Sequence, residues 1–168
     1  MNIMNESYNT GRIYQISSKP KIEGERGLPK FARDFAYVTS NGVEGDFNHF
    51  RKSWKFNTSL RALLIYPKEM YDKLQTEGWS VFPGDLGENI TTEGIFYENF
   101  EINSIWRVGE IKIQISEVCS PCKNLRFIPS IGMKVKEFVQ TLVGRRGWYA
   151  KVLEEGTIKK GDLVERVS

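Results

Sequence analysis

The sequence predicts a mainly β fold with a few helices, arranged as a twisted, mostly antiparallel barrel. From Gly11 onward, short apolar runs are separated by turns that contain glycine, a texture typical of β-rich proteins. Ile111, Ile113 and Ile115 alternate with polar residues, which indicates a strand with one buried and one solvated face. Strands do not alternate regularly with long helices, so a doubly wound parallel sheet is disfavoured.

Length and composition are those of one soluble globular domain. The chain has 168 residues, of which 40% are hydrophobic and 27% charged. Its formal net charge of +3 is too small to argue for nucleic acid as a partner. No stretch approaches the roughly 18 apolar residues of a membrane span, and the polar first ten residues lack a secretory signal. We therefore expect a cytoplasmic protein with no membrane partner and two reduced cysteines, disordered over residues 1–10 and folded as one domain over 11–168.

Five segments have the composition of strands and two have that of helices. The strands are predicted over residues 12–17, 61–66, 111–118, 148–153 and 162–167. One helix is predicted over residues 68–77, because Pro67 suits a helix start and Gly78 a helix stop. The other helix is predicted over residues 135–142, where apolar residues recur at helical spacing. Both apolar stripes are interpreted as core packing.

The first polar segment of interest, residues 42–49, reads Gly-Val-Glu-Gly-Asp-Phe-Asn-His. Gly45 and Asp46 suit a hairpin turn. His49 is the only histidine of the chain, so a metal site built on several histidines is excluded. A single histidine is more often a hydrogen-bonding residue of the fold than a ligand, and both interpretations stay open.

A second segment, residues 83–94, contains three glycines and many polar side chains but only two aliphatic residues. Glycine lets the backbone approach a ligand closely, and successive N–H groups form anion-binding concavities. Asn89, Thr91 and Thr92 add donors and acceptors. The segment lacks the lysine of a nucleotide-triphosphate loop and does not match the dinucleotide fingerprint. A ligand-binding loop and an elaborate turn are equally compatible with it.

The two cysteines, Cys119 and Cys122, are three residues apart at the end of a predicted strand. A thioredoxin-like redox pair requires a βαβ context that is missing here. A structural zinc site needs four ligands, whereas the chain has two cysteines and one histidine. Two thiols in a loop remain, near Lys123 and Arg126, whose positive charge favours a nucleophilic thiolate. The alternative is a pair of buried, inert cysteines.

The last segment is Arg145 and Arg146, flanked by glycines and followed by Trp148 and Tyr149. Guanidinium groups bind oxyanions through two parallel hydrogen bonds, so the arginine pair suits a phosphate or carboxylate clamp. An aromatic neighbour suits stacking on a flat heterocycle. The alternative is a solvated turn that leads into a core strand.

Together and in this order, these segments resemble the MOSC family, which includes the C-terminal domain of molybdenum cofactor sulfurases. The match begins with a Gly-Asp element at Gly45 and continues without a gap through the glycine-rich residues 84–94. A strand that ends in the pair Pro121 and Cys122 follows, and then a Gly-Trp-Tyr element that begins at Gly147. The resemblance covers nearly all of residues 11–168 and implies a MOSC-type β-barrel of the free-standing bacterial type.

The resemblance implies that Cys122 is the reactive cysteine, which either ligates the molybdenum of molybdenum cofactor or carries sulfur. Where many relatives have an arginine, this chain has Cys119, so one anion contact is lost and a second thiol is gained. The residues assigned to cofactor binding, from the resemblance and the polar segments together, are Asp46, His49, Asp85, Gly87, Glu88, Asn89, Thr91, Thr92, Arg145, Arg146 and Trp148.

The resemblance also implies partners. Relatives in larger proteins accompany a pyridoxal-phosphate desulfurase domain, or reduce N-hydroxylated bases. The 168 residues leave no room for such a domain beside a barrel, and two cysteines cannot hold an iron–sulfur cluster. We expect a cysteine desulfurase or an electron-donor protein, together with molybdoenzymes, as partners. Three hypotheses stand: a cofactor-dependent enzyme or sulfur carrier, a non-catalytic cofactor-delivery adaptor, and a thiol redox sensor built on both cysteines.

Overall fold

A closed barrel of seven strands is the centre of the computed structural model, which describes residues 9–47 and 58–168. The strands in these ranges are β1 (Thr10–Ser18), β2 (Phe31–Arg33), β3 (Phe35–Thr39), β4 (Gly42–Val43), β5 (Leu63–Pro67), β6 (Ile90–Glu93), β7 (Ile105–Val108), β8 (Ile111–Val118), β9 (Trp148–Glu154), β10 (Gly156–Lys159) and β11 (Leu163–Arg166). The α-helices are α1 (Lys68–Thr76) and α2 (Val135–Thr141), and 3-10 helices span Thr58–Arg61, Tyr97–Asn99, Lys123–Phe127 and Gly132–Lys134.

The barrel closes because both ends of the sheet pair with one long strand. The order is β11, β7, β8, β9, β5, β6 and β1, and β1 pairs back to β11 through Thr10 with Glu165 and Arg12 with Leu163. Only β5 and β6 pair in parallel; the other pairs of the ring are antiparallel. β2 continues the sheet beside β1, and β10, β3 and β4 form a small second sheet. The predicted mainly β, mostly antiparallel barrel is confirmed.

All five predicted strands and both predicted helices are present, with ends shifted by at most two residues. The strand predicted from residue 61 begins at Leu63, because Arg61 closes a 3-10 helix. Sequence analysis missed six short strands, of which β6 matters most: it occupies part of the segment interpreted as a loop or turn. A strand of four residues is too short for its alternation to stand out from a polar loop.

Two hydrophobic cores lie on the two sides of the barrel wall. The interior of the barrel is filled by aliphatic side chains from every strand of the ring, together with Phe100 and Trp106. A second core lies under α1 and α2, where Tyr71, Leu74 and Phe138 are fully buried. Trp148, at the start of β9, packs against both cores. The helical stripes therefore serve core packing, as expected. Within the described residues, no helix is long and apolar enough to cross a membrane.

Candidate functional site

An open cleft with a water-accessible volume of about 50 Å³ is lined mainly by four segments: the loop after β1, the glycine-rich segment before β6, the 3-10 helix Lys123–Phe127, and the turn before β9. Three of its lining residues are cationic and none is acidic. The described lining residues are Arg26, Gly27, Leu28, Lys30, Phe47, Leu64, Leu86, Gly87, Asn124, Arg146 and Tyr149. Charge of one sign in a partly closed cleft attracts counter-ions of the other sign.

Arg146 is the most informative of these residues. Only 6% of it is exposed, and its Nη2 donates to the carbonyl oxygen of Leu86 at 2.7 Å. Its Nη1 is buried and, among the described residues, has no hydrogen-bond partner. No described carboxylate forms a salt bridge with it. A guanidinium is always charged, and burying it without a partner is costly, so this arrangement fits an anion in the cleft.

Two buried tyrosines hold the backbone on either side of Arg146. The hydroxyl of Tyr66 donates to the carbonyl oxygen of Arg145 at 2.8 Å. The hydroxyl of Tyr97 accepts a hydrogen bond from the N–H of Gly147 at 3.0 Å. The ring centroids of Tyr66 and Tyr97 lie 6.3 Å apart. Burial raises the pKa of both hydroxyls, so they stay neutral donors and acceptors. Sequence analysis missed both tyrosines, because each belongs to an apolar run without a motif.

Arg145 and Trp148 point away from the cleft. Arg145 Nη2 forms a 2.6 Å salt bridge with Glu77 at the end of α1, and its Nε donates to the carbonyl oxygen of Thr141. The indole N–H of Trp148 donates to the carbonyl oxygen of Tyr97 at 3.1 Å. Adjacent residues at a turn and at a strand start face different ways. The two arginines therefore do not form a joint clamp in this structure.

Asp46 and Asn89, which are 43 residues apart, meet beneath the cleft. Asp46 Oδ2 accepts a hydrogen bond from Asn89 Nδ2 at 2.9 Å. Its Oδ1 accepts from Lys30 Nζ at 2.7 Å and from the backbone N–H of Lys19 at 2.9 Å. Asn89 Oδ1 in turn accepts the N–H of Leu64. One buried hydrogen-bond network thus joins the segments 42–49 and 83–94. Lys30, which sequence analysis missed, belongs to this network and also lines the cleft.

Apart from Leu86, the glycine-rich segment contributes backbone rather than side chains to the cleft. Gly87 has φ of +84° and lines the cleft, and a Cβ there would approach Leu28 to 3.1 Å. Asp85 Oδ2 accepts the N–H of Phe82 at 2.8 Å and so closes the preceding turn. Thr91 and Thr92 are buried within β6, and their hydroxyls have no hydrogen-bond partner among the described residues. None of these three side chains lines the cleft.

Glu88 is fully buried behind the cleft. Its carboxylate accepts hydrogen bonds from the hydroxyl of Tyr71 and from the backbone N–H of Gly84. Burial raises the pKa of Glu88 to about 7, although these hydrogen bonds and the charge of Arg146 act in the opposite direction. Glu88 therefore supports the segment from behind rather than lining the cleft.

This carboxyl makes a pH-dependent contribution to stability. The folded carboxyl holds its proton up to about pH 7, whereas an unfolded one releases it near 4.5, so the folded state binds more protons between these values. The free energy of unfolding should therefore fall as pH rises from 5 to 8, by on the order of 2 to 3 kcal/mol. Urea unfolding at several pH values measures this slope. In Glu88→Gln the slope should largely vanish; an unchanged slope would assign it to other groups.

The two cysteines differ in accessibility. Cys119 is buried at 4% exposure, packs against Leu64 and Tyr149, and donates its N–H to the carbonyl oxygen of Gly147 at 2.9 Å. Cys122 is only half-buried and stands directly before the 3-10 helix that brings Asn124 into the cleft wall. Both are free thiols. Cys122 is thus the thiol that a ligand reaches more easily.

The remaining predicted residue, His49, lies outside the described residues, as does most of the segment predicted to be disordered. Within residues 9–47 and 58–168, no three histidine, cysteine or carboxylate side chains cluster in a way that suits a metal ion.

Comparison with known proteins matches the MOSC domain model to residues 48–165. The chain belongs to the MOSC domain family. The resemblance inferred from the motifs is confirmed. This MOSC chain is 32% identical over 174 residues to the protein YiiM of Escherichia coli, an alignment that covers 97% of the chain and 69% of YiiM.

Two other relatives of this MOSC chain are matched over shorter stretches, and one solved structure is matched over most of the chain. It is 31% identical over 114 residues to YflK of Bacillus subtilis, covering 64% of the chain and 48%, about half, of YflK. A protein of Gibberella moniliformis named as a reductase is 34% identical over 82 residues, which cover 48% of the chain and 14% of that protein. The crystal structure of YiiM from Geobacillus stearothermophilus shares the fold, with a TM-score of 0.73, 24% identity and coverage of 94% and 75% of the two chains.

Proposed function

We propose that this chain binds molybdenum cofactor in the cleft, holds an anionic group of the cofactor on Arg146, and offers the thiol of Cys122 as its reactive group. The observation that carries the proposal is the buried guanidinium of Arg146, whose Nη1 has no hydrogen-bond partner among the described residues. A buried charge of this kind is stabilised by an oxyanion that accepts the free N–H. Membership of the MOSC family supports molybdenum cofactor as the source of that oxyanion.

The lining of the cleft fits the phosphate of such a cofactor. Arg26 adds positive charge beside Arg146, Lys30 lines the cleft while paired with Asp46, and Asn124 adds an amide. Gly87 leaves space because it has no side chain, and Leu28, Leu64 and Leu86 supply apolar wall. A mainly apolar pocket with a few polar groups that converge is typical of cofactor sites. When bound, the cofactor would supply a redox-active metal, for which residues 9–47 and 58–168 contain no ligand cluster of their own.

Cys122 is the residue that suits the metal end of the cofactor. A thiolate is a soft ligand and binds transition metals well, and this thiol is accessible where Cys119 is buried. The fungal relative that is named a reductase supports an oxidoreductase role. Such a role requires an electron-donor protein, and a sulfur-carrier role requires a cysteine desulfurase. A delivery adaptor differs from an oxidoreductase in one measurable respect. With cofactor bound and an artificial electron donor supplied, the adaptor does not reduce an N-hydroxylated base.

The test compares the two neighbouring arginines in protein produced by cells that make molybdenum cofactor. Arg146→Gln should reduce the molybdenum that copurifies by about 10- to 100-fold, since a hydrogen bond to a charged group is worth roughly 1.5 to 3 kcal/mol. Arg145→Gln should retain most of it, because Arg145 is engaged with Glu77. Molybdenum per protein is measured by elemental analysis, and pterin by fluorescence after oxidation.

Equal losses in both variants would support the joint clamp that the sequence suggests. Wild-type protein without molybdenum or pterin, from cells whose other molybdoenzymes are loaded, would contradict the proposal. Circular dichroism on each variant checks that the fold is intact, so that loss of cofactor is not confused with loss of structure.

A further inference from the structure

Glu88 and Arg146 are joined through the peptide groups of Leu86. The carbonyl oxygen of Leu86 accepts the hydrogen bond from Arg146 Nη2, and its N–H donates to the hydroxyl of Tyr71 at 3.2 Å. That hydroxyl donates to the carboxylate of Glu88. A fully buried carboxyl thus lies behind a buried guanidinium, and the backbone of Leu86 stands between them, bonded to Arg146 through its carbonyl oxygen and to Tyr71 through its N–H. Neither group forms a salt bridge with a described residue.

The charge of the cleft depends on whether Glu88 carries a proton. In the cleft wall and directly behind it, the described cations are Arg26, Lys30 and Arg146, and Lys30 is balanced by Asp46. An ionised Glu88 offsets one of the two remaining positive charges, and a protonated Glu88 leaves both. In a site of low dielectric, an imbalance of one charge is worth far more than in water. A monoanion therefore suits the first state, and a dianion suits the second.

We infer that Glu88 sets the charge preference of the cleft: a dianionic oxyanion, such as a phosphate monoester, binds to Arg146 together with one proton, which the carboxyl of Glu88 takes up. This inference rests on the proposed anion site at Arg146 and adds the charge state of the ligand. The proton comes from solvent and binds to one carboxylate oxygen while the dianion enters the cleft. Its consequence is that the site holds a dianion more tightly as pH falls.

The groups that face Glu88 allow it to be the one that titrates. Burial raises the pKa of Tyr71, on α1, and of Tyr66, on β5, so both stay neutral near pH 7. Burial likewise raises the pKa of Asp85, on the same segment, although from a lower starting value. Arg146, from the turn before β9, keeps its charge throughout. Burial brings the pKa of Glu88 to about 7, within the physiological range.

Sulfate is a suitable probe, because it keeps two negative charges between pH 6 and pH 8 and therefore takes up no proton itself. We expect wild-type protein to bind sulfate about tenfold more tightly at pH 6 than at pH 8, as linkage predicts when only the protonated carboxyl admits the dianion. Isothermal titration calorimetry at pH 7.5, in two buffers of different ionisation enthalpy, should report uptake of up to about one proton per sulfate bound.

Three variants make the assignment specific. Glu88→Gln should bind sulfate with nearly equal affinity at pH 6 and pH 8 and without proton uptake. Glu77→Gln removes a carboxylate that pairs with Arg145 instead of facing Arg146, and should keep the wild-type pH dependence. His49→Gln tests the only histidine of the sequence, because histidine is the residue type that ordinarily changes charge between pH 5 and pH 8.

Sulfate binding without proton uptake in the wild type would overturn the inference while leaving the anion site in place. So would proton uptake that persists in Glu88→Gln or disappears in His49→Gln. Absence of sulfate binding to wild-type protein at both pH values would instead count against the anion site itself, and with it against the proposed function. The wild-type calorimetry decides the first point even if Glu88→Gln does not fold.

Discussion

On the proposed function, replacing Cys122 with serine should remove roughly nine tenths of any bound molybdenum, a factor of ten that corresponds to about 1.4 kcal/mol of lost binding, or all of any sulfur carried on the thiol. Serine preserves the size of the side chain, but its hydroxyl is a hard, protonated group where a soft thiolate is required. The half-buried position of Cys122, next to the 3-10 helix that contributes Asn124 to the cleft, makes this thiol the accessible one. Elemental analysis and intact mass spectrometry measure both quantities.

The matched control is the same change at Cys119. That thiol is 4% exposed and packs against Tyr149, so Cys119→Ser should keep the bound metal or sulfur. Near-stoichiometric molybdenum that is lost only in Cys122→Ser identifies a metal ligand. An added sulfur atom on Cys122, without metal, identifies a sulfur carrier. If Cys122→Ser kept the molybdenum or sulfur of the wild type, the proposed role of this thiol would be refuted. Reversible oxidation that needs both cysteines would favour the redox sensor.

The largest effect on stability is expected at Asp46. Asp46→Ala removes the carboxylate that balances Lys30, and the side chains of this pair are only 1% and 4% exposed. Losing one partner of a buried ion pair typically costs about 3 to 5 kcal/mol, because the other charge stays in a medium of low dielectric. The same change removes the acceptor of Asn89, which otherwise ties β6 to this network. Thermal and urea unfolding measure the loss.

A second ion pair of similar geometry serves as the comparison. Arg61 and Glu117 are 2.9 Å apart, but their side chains are 39% and 32% exposed. Glu117→Ala should cost no more than about 1 kcal/mol, because water screens a pair at the surface. If Asp46→Ala cost as little as Glu117→Ala, the network beneath the cleft would be a solvated surface pair rather than a structural support. The measurement therefore tests whether the first motif acts through Lys30.

The regular parts of the fold were predictable from the sequence because their signal is local. Strand β8 was predicted with its observed ends, since Ile111, Ile113 and Ile115 alternate with polar residues over eight positions. Helix α1 was predicted from Pro67 and Gly78. Proline suits a helix start because its φ is fixed, and glycine suits the position after a helix because it adopts positive φ readily, here +98°. Strands β6 and β7, with four residues each, carry too little periodicity to be recognised.

The glycine-rich segment shows where local reasoning ends. Its polar residues suggested a ligand loop, yet Glu88, Asn89 and Thr91 are all buried. The side chain of Asn89 forms its hydrogen bonds with Leu64 and Asp46, which belong to other segments. A polar side chain reads the same in the sequence whether it faces a ligand or a neighbouring strand. Only the tertiary structure places residues 46 and 89 next to each other, because both bond to the end of β1, at Lys19 and at Ser17.

The sequence by itself determined the β class of this protein and its membership of the MOSC family, because motif order and hydrophobic periodicity can be recognised without a structure; it also led to the prediction that Cys122, not Cys119, is the reactive thiol. The tertiary structure alone decided which arginine faces the cleft. Arg145 and Arg146 cannot be distinguished in the sequence. In the structure, two tyrosine hydroxyls hold the turn so that Arg145 pairs with Glu77 and Arg146 points into the protein, to the carbonyl oxygen of Leu86. It also showed that Lys30 lies buried against Asp46 and that Glu88 is buried behind the cleft, which matters because burial and distance, rather than residue type, determine how strongly charges act on one another.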